Sequence, residues 1–352
     1  MLFSLRPAVP ADAAALAPLA ARTFLDGWAS VITPPVAAAY VAQAFTPSQL
    51  AAEIEDPASC LLVAENEQSQ LIGYARLAVG VKVAPSFVTG PRPLLLQRLY
   101  VASEARGKGV ADALLETLGR EALRRGGETL WLDADPRNER AWRFYLRRGF
   151  VDVGGAVYAL PGAVNDRVRV MQKPIAPAVR RGTTDDAEAL SVMAAAVFRD
   201  TFGPGNDPDT MASYLASAFH PRTLQGELAD PENHFLLAVS RGVSEEIVGY
   251  TKLSYAPDEH PSCVTGPVPI AELERFYVRH EWHGTGVAGT LMQATLQAAA
   301  AGGARTLWLG VFDQNARARR FYARWDFADV GEHLFHFGTE AQTDRVMVRP
   351  VS

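Results

Sequence analysis

The chain of 352 residues is poor in cysteine, holding only Cys60 and Cys263, one in each half. Two thiols at unrelated places offer neither a disulfide framework nor a cysteine metal site, and no metal is expected. Long apolar runs are missing too. Nothing approaches the roughly 20 apolar residues that span a bilayer, and the opening MLFSLRPAVP lacks the basic, apolar and small-residue succession of a secretory leader. A cytoplasmic protein with no membrane role is expected. Dense Lys/Arg runs are absent and the formal net charge is -5, which argues against a nucleic-acid partner. What remains, 48% hydrophobic and 21% charged residues, is an ordinary globular balance in a chain long enough for two domains.

A repeat fills that length. Leu99-Tyr100-Val101 before Arg106-Gly107-Lys108-Gly109-Val110-Ala111 matches Phe276-Tyr277-Val278 before His283-Gly284-Thr285-Gly286-Val287-Ala288, at an offset of 177. The same offset relates Thr129-Leu130-Trp131-Leu132 to Thr306-Leu307-Trp308-Leu309, Asn138 to Asn315, and Phe144-Tyr145 to Phe321-Tyr322. Nearer the start an offset of 176 relates Gly73-Tyr74 to Gly249-Tyr250 and Val88 to Pro91 with Val264 to Pro267. Self-similarity of this extent means two copies of one domain, residues 1–175 and 176–352. The segment Gln172 to Ala178 reads as the linker, since Pro174 and Pro177 favour extended chain.

Each copy reads as α/β. An alanine-rich helix follows Asp12 or Asp186, an acidic N-cap candidate. Short strands are expected at Cys60 to Val63, Leu71 to Leu77, Phe235 to Val239 and Ile247 to Leu253. A further strand ends at Val101 or Val278, followed by the glycine turn, an amphipathic helix, the Trp-centred strand and a helix carrying Phe-Tyr. The sheet should be mixed, mostly antiparallel, with helices against it.

The glycines fall between a strand end and the start of an Ala/Leu-rich helix. Loop amides and the helix N-terminus can there point together at an anion, as a pyrophosphate cradle does. A lone Gly-x-Gly is as readily a plain turn; its recurrence in the same context adds weight. A dinucleotide fingerprint would follow its strand without intervening residues, and Gly-Lys-Gly-Val lacks the Gly-Lys-Ser/Thr of a Walker loop.

These residues resemble the GNAT superfamily of N-acetyltransferases, whose loop reads Arg/Gln-x-x-Gly-x-Gly/Ala. Arg106 to Ala111 fits throughout, and His283 to Ala288 fits except for His in place of Arg/Gln. Asn138-x-x-Ala141-x-x-Phe144-Tyr145 and its counterpart from Asn315 are similar to the family's closing motif, so the resemblance covers both copies nearly end to end. The C-terminal copy also resembles the PaiA-type spermidine/spermine acetyltransferases, through Ala271 to Val278, Trp308 to Val311 and Gln342-Thr343-Asp344.

The resemblance implies acetyl-CoA as cosubstrate, a small-molecule amine as acceptor, and direct attack of the amine on the thioester. It implies coenzyme binding by Tyr277, Val278, His283, Gly284, Thr285, Gly286, Val287, Ala288 and Asn315, and in the first copy by Tyr100, Val101, Arg106, Gly107, Lys108, Gly109, Val110, Ala111 and Asn138. An acid on the strand before the loop would take the amine proton. Glu272 and Glu274 alternate with Leu273 and so share a face, although strand carboxylates often simply meet water. Tyr322 and its counterpart Tyr145 resemble the tyrosine that protonates the departing sulfur, while a Phe-Tyr pair on a helix is commonly core. Asn138 and Asn315 are equally helix caps.

Leu95 and Gln97 stand where Glu272 and Glu274 stand in the second copy, so catalysis is expected in the C-terminal copy and binding without efficient transfer in the N-terminal one. Residues 1–175 carry 19 basic and 17 acidic side chains, against 15 and 22 in the rest. An acidic second copy suits a polyamine-like acceptor, or is a solubilising surface. Aminoglycosides, amino acids and proteins stay open as acceptors, as does an acetyl-CoA sensor or scaffold without turnover. The assembly expected is a monomer with pseudo-dimeric domains or a homo-oligomer.

Overall fold

The computed structural model describes residues 3–28, 31–80, 82–160, 163–203, 207–241, 245–255, 260–337 and 340–351, leaving aside side chains at 158–160, 163–167, 335–337 and 340–342. It divides into two compact units, with Ala176 closing the first and Pro177 opening the second.

The first unit runs β1 (Phe3–Pro7), α1 (Ala13–Trp28), α2 (Pro34–Ala44), α3 (Pro47–Glu55), β2 (Ser59–Asn66), β3 (Leu71–Ala78), β4 (Pro93–Val101), α4 (Val110–Arg124), β5 (Thr129–Ala134), α5 (Glu139–Arg147), β6 (Val151–Leu160) and β7 (Ala163–Pro174). The second repeats the plan with β8 (Ala178–Arg181), α6 (Ala187–Phe202), α7 (Pro208–Ala218), α8 (Pro221–Ala229), β9 (Asn233–Val239), β10 (Ile247–Ser254), β11 (Ile270–Val278), α9 (Val287–Ala301), β12 (Thr306–Phe312), α10 (Ala316–Ala323), β13 (Ala328–Phe337) and β14 (Glu340–Pro350).

Each unit holds a seven-stranded sheet among the described residues, ordered β1-β2-β3-β4-β5-β7-β6 and β13-β14-β12-β11-β10-β9-β8. Neighbours are antiparallel except β4 with β5 and β11 with β12. That parallel pair requires a crossover, and α4 or α9 supplies it. Both sheet faces are covered. Tyr250 and Phe235 pack under α6, α7 and α8 on one side, and Leu307, Leu309 and Met292 join α9 and α10 on the other.

Two sequence expectations change in detail. Asp12 and Asp186 do not cap the helices that follow them; their carboxylates turn back to accept from the amides of Val9 and Thr183 at 2.8 and 2.9 Å, closing a short 3-10 turn. Arg6 and Arg180 hold them there. The linker is shorter than its prolines suggest. Gln172 to Pro174 end β7 in register with β5, and the Ile175 amide donates to Glu128 at 2.8 Å.

Candidate active site

β11 and β12 are neighbours only where Ile270–Glu272 meets Thr306–Trp308. Past that point β11 stays with β10 as far as Val278, and β12 stays with β14 as far as Phe312. The strands therefore separate and leave a wedge walled by backbone amides and carbonyls. β4 and β5 part in the same way after Leu95 and Trp131.

The cause lies in one extra residue. Lys252 pairs with Arg275 and Leu253 with Leu273, so Glu274 has no partner in β10. Such a bulge bends and twists its strand, and it falls just past the residues where β11 and β12 are paired. Gln97 is the extra residue of β4, between the pairs Arg76 with Arg98 and Leu77 with Leu96. Leu273 and Phe276 both pack toward α9 and α10, so the two residues between them share the other face with Glu272.

That face carries an ionic cluster. Glu227 on α8 accepts from Arg275 at 2.7 and 2.9 Å and from Lys252 at 3.1 Å, while Glu274 pairs with Lys252 at 2.6 Å and Arg275 at 3.2 Å. The first unit repeats it. Glu53 accepts from Arg98 at 2.5 and 3.2 Å and pairs with Arg76 at 3.0 Å, and Gln97 accepts from Arg76 at 2.5 Å. Glu274 thus lies among cations that hold the bulge, a task a neutral glutamine performs in the other copy.

Glu272 differs. It is half-buried where the wedge opens, beside Trp308, and no described side chain pairs with its carboxylate. Burial first, and the Glu274 charge second, push its carboxyl up to about 7, against a smaller pull from Lys252. Leu95 fills this place in the first unit and is buried.

The glycine loops leave backbone amides free at two helix starts. Gly107, Gly109, Gly284 and Gly286 have φ of 74°, 80°, 78° and 85°, a region costly for residues with a Cβ. A Cβ on any of them would meet nothing within 4 Å, so backbone conformation calls for glycine, not packing. Gly109 and Gly286 are the N-caps of α4 and α9 and offer no side chain to the first-turn amides. Those amides stay available with the positive helix end, as a pyrophosphate needs. Val110 and Val287 are buried as the first helical residues, Thr285 is buried with its hydroxyl on the Trp282 carbonyl at 2.6 Å, and Ala111 and Ala288 are half-buried. Lys108 folds back, donating to the Glu104 carbonyl at 2.7 Å.

His283 does the work of Arg106 at the loop entrance. Arg106 Nε donates to the Val101 carbonyl at 3.3 Å, and His283 Nε2 lies 3.0 Å from the Val278 carbonyl. A carbonyl only accepts, so Nε2 carries the proton; Nδ1 then accepts from Arg317 at 2.7 Å. Burial and the Arg317 charge hold the imidazole below its usual pKa, so both point to a neutral ring.

Asn138 and Asn315 cap α5 and α10, accepting from the amides of Ala141 and Ala318 at 3.3 and 3.0 Å. Tyr322 on α10 is buried, its ring 6.1 Å from Phe276 and 5.8 Å from Phe327, and burial alone raises its phenol. Tyr145 is half-buried with its phenol raised likewise. The Tyr277 ring lies 5.6 Å from that of Tyr250, tilted to it, and its phenol is raised by burial and by its neighbours, Tyr322 among them; Tyr100 accepts from the Trp28 indole at 3.1 Å.

Some groups lack any motif signal. Lys252 and His333 enter the site through strand pairing, and Arg317 and Glu227 through side-chain contacts from α10 and α8. The 177-residue offset relates Arg140 to Arg317 and Arg98 to Arg275, a clue that singles them out only once the loops are known to matter. Asp326 takes φ of 61° where Gly149 has 79°, a conformation aspartate tolerates.

A parted parallel pair, a glycine loop before a helix and a carboxylate at the wedge make up the candidate site. Comparison with known proteins gives the family. The profile of the acetyltransferase (GNAT) family matches residues 28–150 and 198–327, and the chain belongs to that family. It is an N-acetyltransferase with acetyl-CoA as cosubstrate. An uncharacterized N-acetyltransferase of Mycobacterium tuberculosis is 35% identical over 164 residues, 47% of this chain and 97% of that protein. Another from Lactobacillus delbrueckii is 33% identical over 147 residues, 42% of this chain and 82% of its own. Among solved structures, the PaiA N-acetyltransferase of Thermoplasma acidophilum with coenzyme A is 20% identical, covering 49% of this chain and 99% of its own, with a TM-score of 0.39. No helix among the described residues is long and apolar enough to cross a membrane.

Proposed function

We propose that the C-terminal unit transfers acetyl groups to a small primary amine, a polyamine-like acceptor being favoured, and that the N-terminal unit binds the cosubstrate with little or no transfer. The observation that carries this reading is Glu272. Among the described residues it is a half-buried carboxylate at the wedge with no ion pair and a pKa near 7, which suits a general base at neutral pH. The first unit has Leu95 there.

Acetyl-CoA supplies the thioester. The amides at the start of α9 suit its pyrophosphate, and the unpaired edge of β11 near Tyr277 and Val278 suits its amide-bearing arm and the thioester oxygen. Glu272 accepts the proton lost by the attacking amine, directly or through one water, and the Tyr322 hydroxyl donates to the departing sulfur. A phenol raised by burial stays protonated until it is needed. The charge balance of the second half, seven more acids than bases, favours cationic acceptors.

The test is thiol release from acetyl-CoA across polyamines, aminoglycosides and amino acids, in wild type, Glu272→Gln, Glu274→Gln and Tyr322→Phe. Polyamine turnover lost in Glu272→Gln and Tyr322→Phe supports the reading; turnover indifferent to both moves catalysis to the first unit. Tight coenzyme binding without turnover on any acceptor would favour a sensor instead.

A further inference from the structure

Trp308 faces away from α9, packed with Val264, Val346 and Val348, and two residues on along β12 the chain has Gly310. A Cβ at Gly310 would lie 2.9 Å from His333 Nε2 and 3.2 Å from Asp344 Oδ2, so these side chains, opposite one another on β13 and β14, converge on the space the glycine leaves. The Trp308 and His333 rings are 6.2 Å apart. Trp308 is 4% exposed, and what it can offer a cation on this side is the face of its ring. Asp344 is half-buried and its carboxyl is raised, by burial first and by Asp313 next, against His333.

The first copy places a cation at the matching point. Asp133 stands in place of Gly310 and Trp131 in place of Trp308. Lys82 Nζ lies 2.5 Å from Asp133 Oδ2 and 5.5 Å above the Trp131 ring. A primary ammonium, the chain's own, therefore sits there between a carboxylate and the indole. In sequence the second copy has Asp258 where the first has Lys82; Asp258 lies outside the described residues.

We propose that Asp344, where it meets His333 over Gly310 beside the Trp308 ring, is a second-ammonium subsite, so that the acceptor is a diamine or polyamine held at one end by Asp344. Its other amine is presented to Glu272, one strand across and two residues back, roughly 8 Å away by sheet spacing. A short alkyl chain bridges that interval. The proposal rests on the assignment of transfer to the C-terminal unit and adds the residue that selects the acceptor.

The experiment compares kcat/KM for putrescine and for n-butylamine, one ammonium against two on the same carbon chain, in full-length wild type, Asp344→Asn and Asp344→Glu. The wild type should prefer putrescine, and Asp344→Asn should reduce that preference about tenfold or more, as loss of a charged hydrogen bond does. Asp344→Glu keeps the charge, advances it by one methylene, and should move the preference toward the shorter diaminopropane, a shift that a merely structural role for Asp344 would not produce. A putrescine preference unchanged in both variants overturns the subsite and leaves polyamine acetylation standing. Equal use of putrescine and n-butylamine by the wild type overturns the subsite too. If no amine is turned over, spermidine binding by calorimetry decides: binding lost in Asp344→Asn upholds the subsite while the transfer reading fails, and binding retained overturns it.

Discussion

Replacing Glu272 by glutamine should make the protein more stable and less active at once. A carboxyl moved from 4.5 to about 7 by its surroundings, at 1.36 kcal/mol per pH unit, costs the fold up to about 3 kcal/mol when ionised. The sign follows from linkage: the folded-state value is raised, so there is no cost below pH 4.5, where the group is protonated in both states, and the full cost applies above pH 7. Glutamine has the same shape and no charge. Glu272→Gln should therefore unfold at higher urea than wild type at pH 8, with the gain shrinking as pH falls through 7 and vanishing near pH 4. Activity should move the other way. A positioned base is worth about 10² to 10⁴ in rate, and wild-type kcat/KM should climb with pH through about 7 as Glu272 ionises. In Glu272→Gln the residual rate should lack that limb. If the variant keeps the acid limb, another group is the base; if its stability gain is the same at pH 5 and pH 8, the carboxyl is not held near 7.

Other outcomes follow from the same geometry. Tyr322→Phe should lower kcat about a hundredfold with the KM for acetyl-CoA nearly constant, since only proton delivery to the sulfur is removed; steady-state kinetics with both substrates varied checks this. Gly286→Ala puts a Cβ at φ of 85° and should cost about 1 to 2 kcal/mol and weaken coenzyme A binding to the second unit, read by calorimetry. Glu53→Gln leaves Arg76 and Arg98, about 5% exposed each, without their carboxylate and should destabilise the first unit by about 3 to 5 kcal/mol, seen as a lower denaturant midpoint.

Much of the fold was legible because the repeat fixed the frame. Matching Gly-x-Gly turns, Trp-centred strands and Phe-Tyr helices locate four of the elements around the wedge, and alternation places Glu272 on the face away from Leu273. The bulge was not legible. A strand reading assumes period two throughout, whereas Glu274 is an extra residue whose place follows from pairing with β10. The different duties of the two glutamates come from there: one lies against Lys252 and Arg275, the other sits alone at the opening. Glu227 was hidden for a related reason, since it reaches the site through Arg275, 48 residues away in sequence, and no local spacing encodes such a meeting. The aspartates before α1 and α6 were assigned to the right turn but the wrong amide, because an arginine six residues upstream draws each of them backward.

The ionic cluster beneath the bulge recurs in both units, while the carboxylate at the wedge occurs in one. On the proposed reading, comparison of the two units separates what the architecture demands from what the reaction demands. The first unit serves as an internal reference for the second. An arginine-to-methionine change at Arg98 or Arg275 strikes scaffolding common to both, whereas Leu95 and Glu272 differ in chemistry alone. Pairs of substitutions made at matched places therefore separate folding defects from catalytic ones inside one polypeptide, under one set of conditions, without recourse to a second protein.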